Sequence, residues 1–198
     1  RKEIRDMYKL ENKVVIGHVG GFNETKNQTF LIDILNHMDK EMFCLMLVGD
    51  GPLKNKVHNK AVTLGLENNV IFIGITDYVE KYLSAMDCIV MPSLFEGLPL
   101  TLVEQQTNGL CCIVSDNITK AVNLTGNVSF VSLSAPISAW IDKIECAVRT
   151  ENVDDVGHRQ TESIAAVKCI KKKGYDIYEE AEKLKSIYMR IAGRRVEE

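Results

Sequence analysis

The sequence lacks the features of a membrane-spanning or secreted chain. No window approaches the roughly 18 to 20 uninterrupted apolar residues that a membrane-spanning helix needs, and the opening RKEIRDMYKLENK has no apolar signal-peptide core. A strong charge of either sign is also missing. The 24 basic and 27 acidic residues give a net charge of −3, which argues against nucleic acid as a partner. With 198 residues, 45% of them hydrophobic, the chain can build a full core. We therefore expect a folded, cytoplasmic, enzyme-like domain.

Common metal and nucleotide motifs are missing too. The six cysteines form no CxxC pair and mostly lie in apolar runs, so we interpret them as reduced core residues. The four histidines (His18, His37, His58 and His158) form no HExxH group, which favours a structural role for each and predicts no zinc site. Neither GxGxxG nor GxxxxGK[ST] occurs, so a dinucleotide-binding enzyme and a P-loop ATPase both become less attractive.

Short apolar runs alternate with amphipathic stretches along the first two thirds of the chain, as in a parallel sheet with helical crossovers. The pattern predicts an α/β fold: a doubly wound, Rossmann-like open parallel sheet of five or six strands, followed by a helical C-terminal segment. We divide the chain into a leading segment (1–13), a Rossmann-like domain (14–150) and C-terminal helices (151–198). Strands are predicted at 14–20, 43–48, 70–73, 88–91, 111–115 and 128–133, and helices at 27–38, from Pro52 to 66, 78–85, 99–108, 137–148, 156–170 and 175–191.

The most informative segment follows the fourth predicted strand. Ligands of doubly wound sheets bind beyond the carboxyl ends of the strands, and FEGLPLTLVE (residues 95–104) leaves that edge to open a helix. With Pro99 as the first helical residue, the amides of residues 100–102 would have no partner within the helix and could hold phosphate oxygens. Glu96 and Glu104 flank this position, and carboxylates accept hydrogen bonds from hydroxyls. A phosphate-bearing ligand rich in hydroxyls, such as a nucleotide sugar, suits both features.

Plainer interpretations exist for each residue taken alone. Glu104 could be an exposed helix residue, and Glu96 a favourable charge near a helix N-terminus. Gly17, Gly20 and Gly21 could serve only as tight strand-to-helix turns.

Taken in order, the motifs resemble the C-terminal, donor-binding half of the retaining family 4 glycosyltransferases, which have two Rossmann-like domains (the GT-B architecture). The segments that carry the resemblance are IGHVGGFNETKNQTFLIDIL, LMLVGDGPL, VIFIG and MPSLFEGLPLTLVEQQTNGL, between Val14 and Ser115. They are most similar to bacterial enzymes of capsular or exopolysaccharide assembly. The resemblance implies a nucleoside-diphosphate sugar donor, with UDP-linked hexoses the first expectation, and neither a metal nor a cofactor.

It also implies roles for individual residues. Glu96 and Lys26 would be catalytic, Glu96 beside the hydroxyls of the donor sugar and Lys26 as the cation on its diphosphate. Glu104 would accept the ribose hydroxyls, and the nucleobase would lie near Gly74 to Asp77. The other donor-binding residues would be Gly20, Gly21, Gly97, Leu98, Leu100 and Thr101, the amides of the last two holding the diphosphate.

One position departs from the family pattern. Members usually carry Arg where this chain has Gly21, and glycine cannot replace a guanidinium on a diphosphate. Donor binding or turnover could be weaker, a neighbouring cation could compensate, or the substrate could differ. A rival hypothesis is therefore a degenerate donor domain that binds a sugar nucleotide or a protein without catalysis. A sugar-nucleotide epimerase is a second rival, but it would need additional acid and base residues, and none is evident.

In this architecture the acceptor binds an N-terminal domain, so the resemblance implies that such a domain of the full-length chain is a partner missing from these residues. We expect the isolated chain to bind donor and to transfer no sugar. The basic stretches 168–173 and Arg194-Arg195 read as solvated helix faces, or alternatively as an aid to peripheral binding of the full-length enzyme at the inner face of a membrane.

Overall fold

The structure is a computed structural model that describes residues 1–150 and 156–194. Its centre is an open sheet of six strands in the order β3-β2-β1-β4-β5-β6, and every neighbouring pair is parallel. The predicted doubly wound sheet is confirmed. The strands are β1 (Val14–Val19), β2 (Phe43–Val48), β3 (Val70–Gly74), β4 (Cys88–Met91), β5 (Cys111–Ser115) and β6 (Val128–Val131).

Helices cover both faces of this sheet, which is why β2, with the sequence FCLMLV, is buried at every position. Each face of the sheet packs against an apolar layer. One layer includes Leu31, Val57 and Trp140, and the other includes Ile4, Leu83 and Leu102. The helices are α1 (Lys2–Tyr8), α2 (Gln28–Asn36), α3 (Lys54–Thr63), α4 (Val79–Ala85), α5 (Leu100–Thr107), α6 (Ile137–Thr150), α7 (Val156–Lys172) and α8 (Ile177–Arg194).

Two helices begin later than their prolines suggested. Pro99 was expected as the first residue of α5, but its ψ of 106° is extended and it is the N-cap, so the helix begins at Leu100. Pro52 was expected in the first turn of α3, but it lies in a turn ahead of Lys54, where that helix begins. The difference at Pro99 follows from its backbone conformation, since a fixed φ at proline leaves ψ free to be extended.

The leading segment contains a helix, α1, that sequence reasoning did not predict. Arg5 is buried and pairs with Asp87, with 3.2 Å between Nη1 and Oδ2, and Arg1 pairs with the other carboxylate oxygen of Asp87 at 2.5 Å. Asp87 also accepts a hydrogen bond from the backbone N–H of Val15 at 2.7 Å. These contacts join α1 to the amino-terminal ends of β1 and β4, far from the edge where ligands are expected.

The C-terminal part is helical, as predicted. α7 packs against α5, and Arg159 of α7 donates hydrogen bonds to the carbonyl oxygens of Leu83 and Asn108. The predicted division between residues 150 and 151 lies at the edge of the described residues, so the three-part division stays a prediction. Arg195, in the predicted basic pair, lies outside the described residues.

Candidate functional site

The strand order places the candidate site where β1 and β4 lie side by side. β1 connects onward to β2 on one side, and β4 to β5 on the other, so the loops after β1 and β4 diverge and leave a crevice between them. Hydrogen bonds tie these loops together. The Leu94 N–H donates to the Thr25 carbonyl at 2.8 Å, and the Asn27 side chain donates to the Pro92 carbonyl at 3.2 Å.

Lys26 and Glu96, the two predicted catalytic residues, meet across this crevice. Nζ of Lys26 donates to Oε1 of Glu96 at 2.6 Å, and the two side chains are only 17% and 15% exposed. The Lys26 stem lies against Gly20, because a Cβ at Gly20 would be 3.2 Å from Lys26 Cε. The structure thus brings together three predicted site residues from two loops.

The start of α5 offers fewer free amides than the sequence suggested. The Leu102 N–H donates to the carbonyl of Pro99 at 2.9 Å, because the N-cap carbonyl accepts the first bond of the helix. Within the described chain, no backbone carbonyl accepts from the amides of Leu100 and Thr101. Leu100 is 64% exposed, so this helix end opens to water. The two amides named in the prediction remain available to an anion.

Glu104 lies about one helical turn further along and lines a groove between α4 and α5. The groove has a volume of about 420 Å³, and Asp77 and Glu80 line its opposite wall. Glu104 itself is exposed, so its carboxylate can accept hydrogen bonds from a ligand. Asp77 belongs to the loop after β3, where the nucleobase was predicted. Gly74, at the start of that loop, accepts a hydrogen bond from the Gly49 N–H at 2.9 Å.

The position that departs from the family pattern, Gly21, is exposed and has room for a side chain. A Cβ there would lie 3.6 Å from the Asp50 carbonyl oxygen and 3.7 Å from the Asn23 amide, both ordinary contacts. The neighbouring loop differs: Gly49 has a φ of +130°, and a Cβ on it would collide with the carbonyl of Gly20. Glycine is therefore required at Gly49 by geometry but not at Gly21. Gly97 is exposed with nothing within 4 Å of its would-be Cβ, and Leu98 beside it is 40% exposed.

Two buried residues under this loop were missed or set aside by sequence reasoning, namely His18 and Gln28. His18 Nδ1 donates to the Val90 carbonyl at 2.9 Å, and Gln28 Nε2 donates to the Gly21 carbonyl at 2.8 Å while lying 3.5 Å from His18 Nε2. Burial lowers the pKa of His18 to about 4, so it is neutral near pH 7. The sequence signal that could have identified His18 is a polar residue near the carboxyl end of the otherwise apolar strand β1. Because it is buried, His18 supports the loop rather than meeting a ligand.

Comparison with known proteins fits this geometry. Residues 13–149 match the family described as glycosyl transferases group 1. The chain belongs to that family. The putative glycosyltransferase EpsF of Bacillus subtilis is 42% identical over 136 residues, which cover 67% of this chain and 35% of EpsF. An Escherichia coli UDP-Gal:alpha-D-GlcNAc-diphosphoundecaprenol alpha-1,3-galactosyltransferase is 31% identical over 121 residues, 59% of this chain and 30% of the enzyme. The chain thus spans about a third of the length of these curated relatives.

Solved structures of other proteins show the same fold. HepE of Anabaena in complex with UDP aligns with a TM-score of 0.75 and 21% identity over 93% of this chain and 52% of HepE. Sucrose-phosphate synthase of Thermosynechococcus elongatus aligns with a TM-score of 0.77 and 18% identity over 98% of this chain and 49% of its own. The architecture is therefore one half of a GT-B structure.

Among residues 1–150 and 156–194, no group of three or more His, Cys, Asp or Glu side chains is arranged to hold a metal ion. No helix in these ranges is long and apolar enough to cross a membrane.

Proposed function

We propose that this chain is the donor-binding domain of a retaining glycosyltransferase, and that it binds a nucleoside-diphosphate hexose, with UDP as the first candidate nucleotide. The observation that carries the proposal is the meeting of Lys26 and Glu96 beside the open start of α5, at the crevice of a group 1 domain. HepE, which shares this fold, is described with UDP, UDP and glucose, and UDP-glucose. The acceptor is proposed to be a growing polysaccharide or a lipid-linked sugar, because relatives are described as galactosyl- and N-acetylgalactosaminyltransferases of diphosphoundecaprenol-linked acceptors.

Each part of a nucleotide sugar has a chemically suitable partner. The amides of Leu100 and Thr101, with the helix dipole behind them, attract diphosphate oxygens, and Lys26 supplies a positive charge. Glu104 accepts hydrogen bonds from the ribose, and the groove beside it runs toward Asp77 and the proposed place of the base. Glu96 accepts hydrogen bonds from the sugar.

In the full-length enzyme, these groups lower the barrier by positioning the donor and by stabilising negative charge on the departing diphosphate, which assists attack by the acceptor hydroxyl on the same face of the sugar. No protein nucleophile is required in this scheme. We propose that a cation and a helix terminus perform the role that a divalent metal performs in other transferases. The acceptor domain would occupy the half of the GT-B structure that this chain does not cover, so the isolated chain would bind donor without transferring sugar. A robust transferase rate measured with this chain alone would contradict that part.

The experiment is calorimetric titration of this chain with UDP, GDP and UDP-glucose. We expect UDP and UDP-glucose to bind, and Lys26→Met to weaken both by about ten- to a hundredfold, because a charged hydrogen bond to phosphate is lost. Glu104→Gln should weaken both by about three- to tenfold, since a neutral amide accepts more weakly from the ribose. Lys56→Met is the matched control, because Lys56 is 59% exposed and pairs only loosely with Glu24, at 3.7 Å. Absence of nucleotide binding, or an equal loss in Lys56→Met, would refute the proposal.

A second candidate is a binding module without catalysis, and Gly21 is the observation that favours it. Such a module would still bind a nucleotide sugar, but completing it with an acceptor domain would give no turnover. We propose the transferase as the primary function because Lys26 and Glu96 meet at the crevice and Glu104 lines the adjoining groove.

We further propose that the full-length enzyme works in the cytoplasm, at the inner face of the membrane, because relatives are described as acting on diphosphoundecaprenol-linked acceptors. The basic residues Lys168, Lys172 and Lys173 on α7 and the segment that follows it are compatible with an anionic surface.

A further inference from the structure

Lys26 and Glu96 neutralise each other across the crevice. Their contact at 2.6 Å is a short, charge-assisted hydrogen bond, and both side chains are more than four-fifths buried. Within the described residues, neither side chain makes another hydrogen bond or ion pair. A ligand that needs the Lys26 ammonium must therefore share it with Glu96 or displace Glu96 from it.

The pair is held in place by its surroundings. The Lys26 N–H donates to the Asn23 side chain at 3.0 Å, and the stem packs on Gly20. The hydrogen bond from Leu94 to Thr25 locks the loop that carries Glu96 to the loop that carries Lys26. A preorganised, largely desolvated pair is harder to break than an exposed one, because separating it leaves two poorly solvated charges.

Other charges nearby do not relieve this competition. His18, whose pKa is influenced by both partners, is buried and neutral near pH 7 and adds no positive charge. Lys54 is engaged with Asp50 at 2.8 Å. Gly21 supplies no guanidinium, so Lys26 is the one basic side chain among the predicted site residues.

We propose that Glu96 competes with the diphosphate for Lys26, and that the site thereby distinguishes a sugar nucleotide from the free nucleoside diphosphate. This inference rests on the proposed function. A sugar nucleotide brings hydroxyl donors to Glu96 at the same time as its diphosphate takes Lys26, so both members of the broken pair gain partners. A nucleoside diphosphate takes Lys26 but leaves the Glu96 carboxylate without a donor and close to negative phosphate. Glu96 thus weakens binding of the spent nucleotide and favours its release.

The test compares UDP with UDP-glucose on this chain and its variants by calorimetry. Glu96→Gln removes the charge with little change in shape, and we expect UDP to bind about three- to tenfold tighter. Binding of UDP-glucose should be unchanged or weaker. The dissociation constant of UDP should therefore fall relative to that of UDP-glucose. Glu96→Ala should give the same gain for UDP and serves if the amide variant fails to fold, which thermal melting reports. In the double variant Glu96→Gln/Lys26→Met the gain should vanish, because the competition requires Lys26.

One control separates this competition from a general relief of negative charge. Glu24→Gln neutralises an exposed carboxylate on the loop that carries Lys26 and should not tighten UDP binding. A comparable gain in this control would overturn the inference. UDP binding that is unchanged or weaker in both Glu96 variants would overturn it and leave the proposed function standing. Failure of the unaltered chain to bind any of the nucleotides would overturn both.

Discussion

Adding the arginine that this chain lacks is the sharpest test of how Gly21 affects the site. A Cβ at Gly21 would have only ordinary contacts at 3.6 and 3.7 Å, and the residue is exposed, so Gly21→Arg can be accommodated without backbone strain. The loop is also supported from below by the hydrogen bond between Gln28 and the Gly21 carbonyl, which does not involve a side chain at this position. We therefore expect the variant to fold with unchanged or slightly higher stability, by up to about 0.5 kcal/mol.

The expected gain in affinity follows from the new contact. A guanidinium that reaches the diphosphate adds a charge-assisted, bidentate interaction of about 1.5 to 3 kcal/mol, which corresponds to about ten- to a hundredfold tighter binding of UDP and UDP-glucose. The assay is calorimetric titration with both ligands. Gly21→Met is the matched control, because it adds comparable length without charge or hydrogen-bond donors.

The result also tests whether the missing arginine alone limits binding. Restored tight binding in Gly21→Arg but not in Gly21→Met would indicate a donor domain that lacks only one cation. A gain in neither variant would refute the reasoning that position 21 faces the diphosphate, and an equal gain in both would indicate that loop rigidity, rather than charge, limits binding.

Four further outcomes test the structure and the site. Because burial lowers the pKa of His18 to about 4, the unfolded chain binds a proton between about pH 6.5 and 4 that the native chain does not. Urea unfolding should therefore show that the free energy of unfolding falls by about 3 kcal/mol as the pH is lowered through this window. His18→Gln should abolish most of that loss. Asp87→Asn should cost about 3 kcal/mol in the same assay, because buried Arg5 loses its countercharge. Gly49→Ala should lower the melting temperature by several degrees, whereas Gly97→Ala should have little effect. Chelation with EDTA should leave UDP affinity unchanged, and a marked loss would contradict the proposed metal-independent site.

The sequence was sufficient for the sheet because parallel strands covered on both faces must be continuously apolar. Phe43–Val48 and Cys88–Met91 are such runs, and both are buried throughout. The glycine-rich loops and the proline before α5 were also local signals, and they indicated the edge of the sheet where a ligand is predicted to bind. What periodicity could not provide was helix α1, whose residues alternate charge and apolar character without a long face. Its stability comes from Asp87, some 80 positions away in the chain, and short helices depend on such tertiary contacts.

The sequence predicted candidate site residues, and the structure adds a contact between two of them that the sequence did not predict. The resemblance named Lys26 and Glu96 for different parts of the donor, and no pattern within either segment indicates that they bind each other across 70 residues. His18 was assigned only a structural role because an isolated histidine forms no motif with other residues. Its relation to Gln28 and the Gly21 loop depends on where β1 ends relative to β4, and that is a property of strand register rather than of local sequence.

Gly21 and the Lys26–Glu96 pair together bear on how the proposed site would recognise a donor. In a site with two free cations, attraction to the diphosphate alone would hold the ligand, and the spent nucleotide would be retained as well as the donor. Here position 21 carries no cation and Lys26 is paired with Glu96, while Glu104, Asp77 and Glu80 make the adjoining groove acidic. Under the proposed function, recognition would then depend on ribose and sugar hydroxyls that donate to these carboxylates. The same arrangement would weaken binding of the product once the sugar has gone.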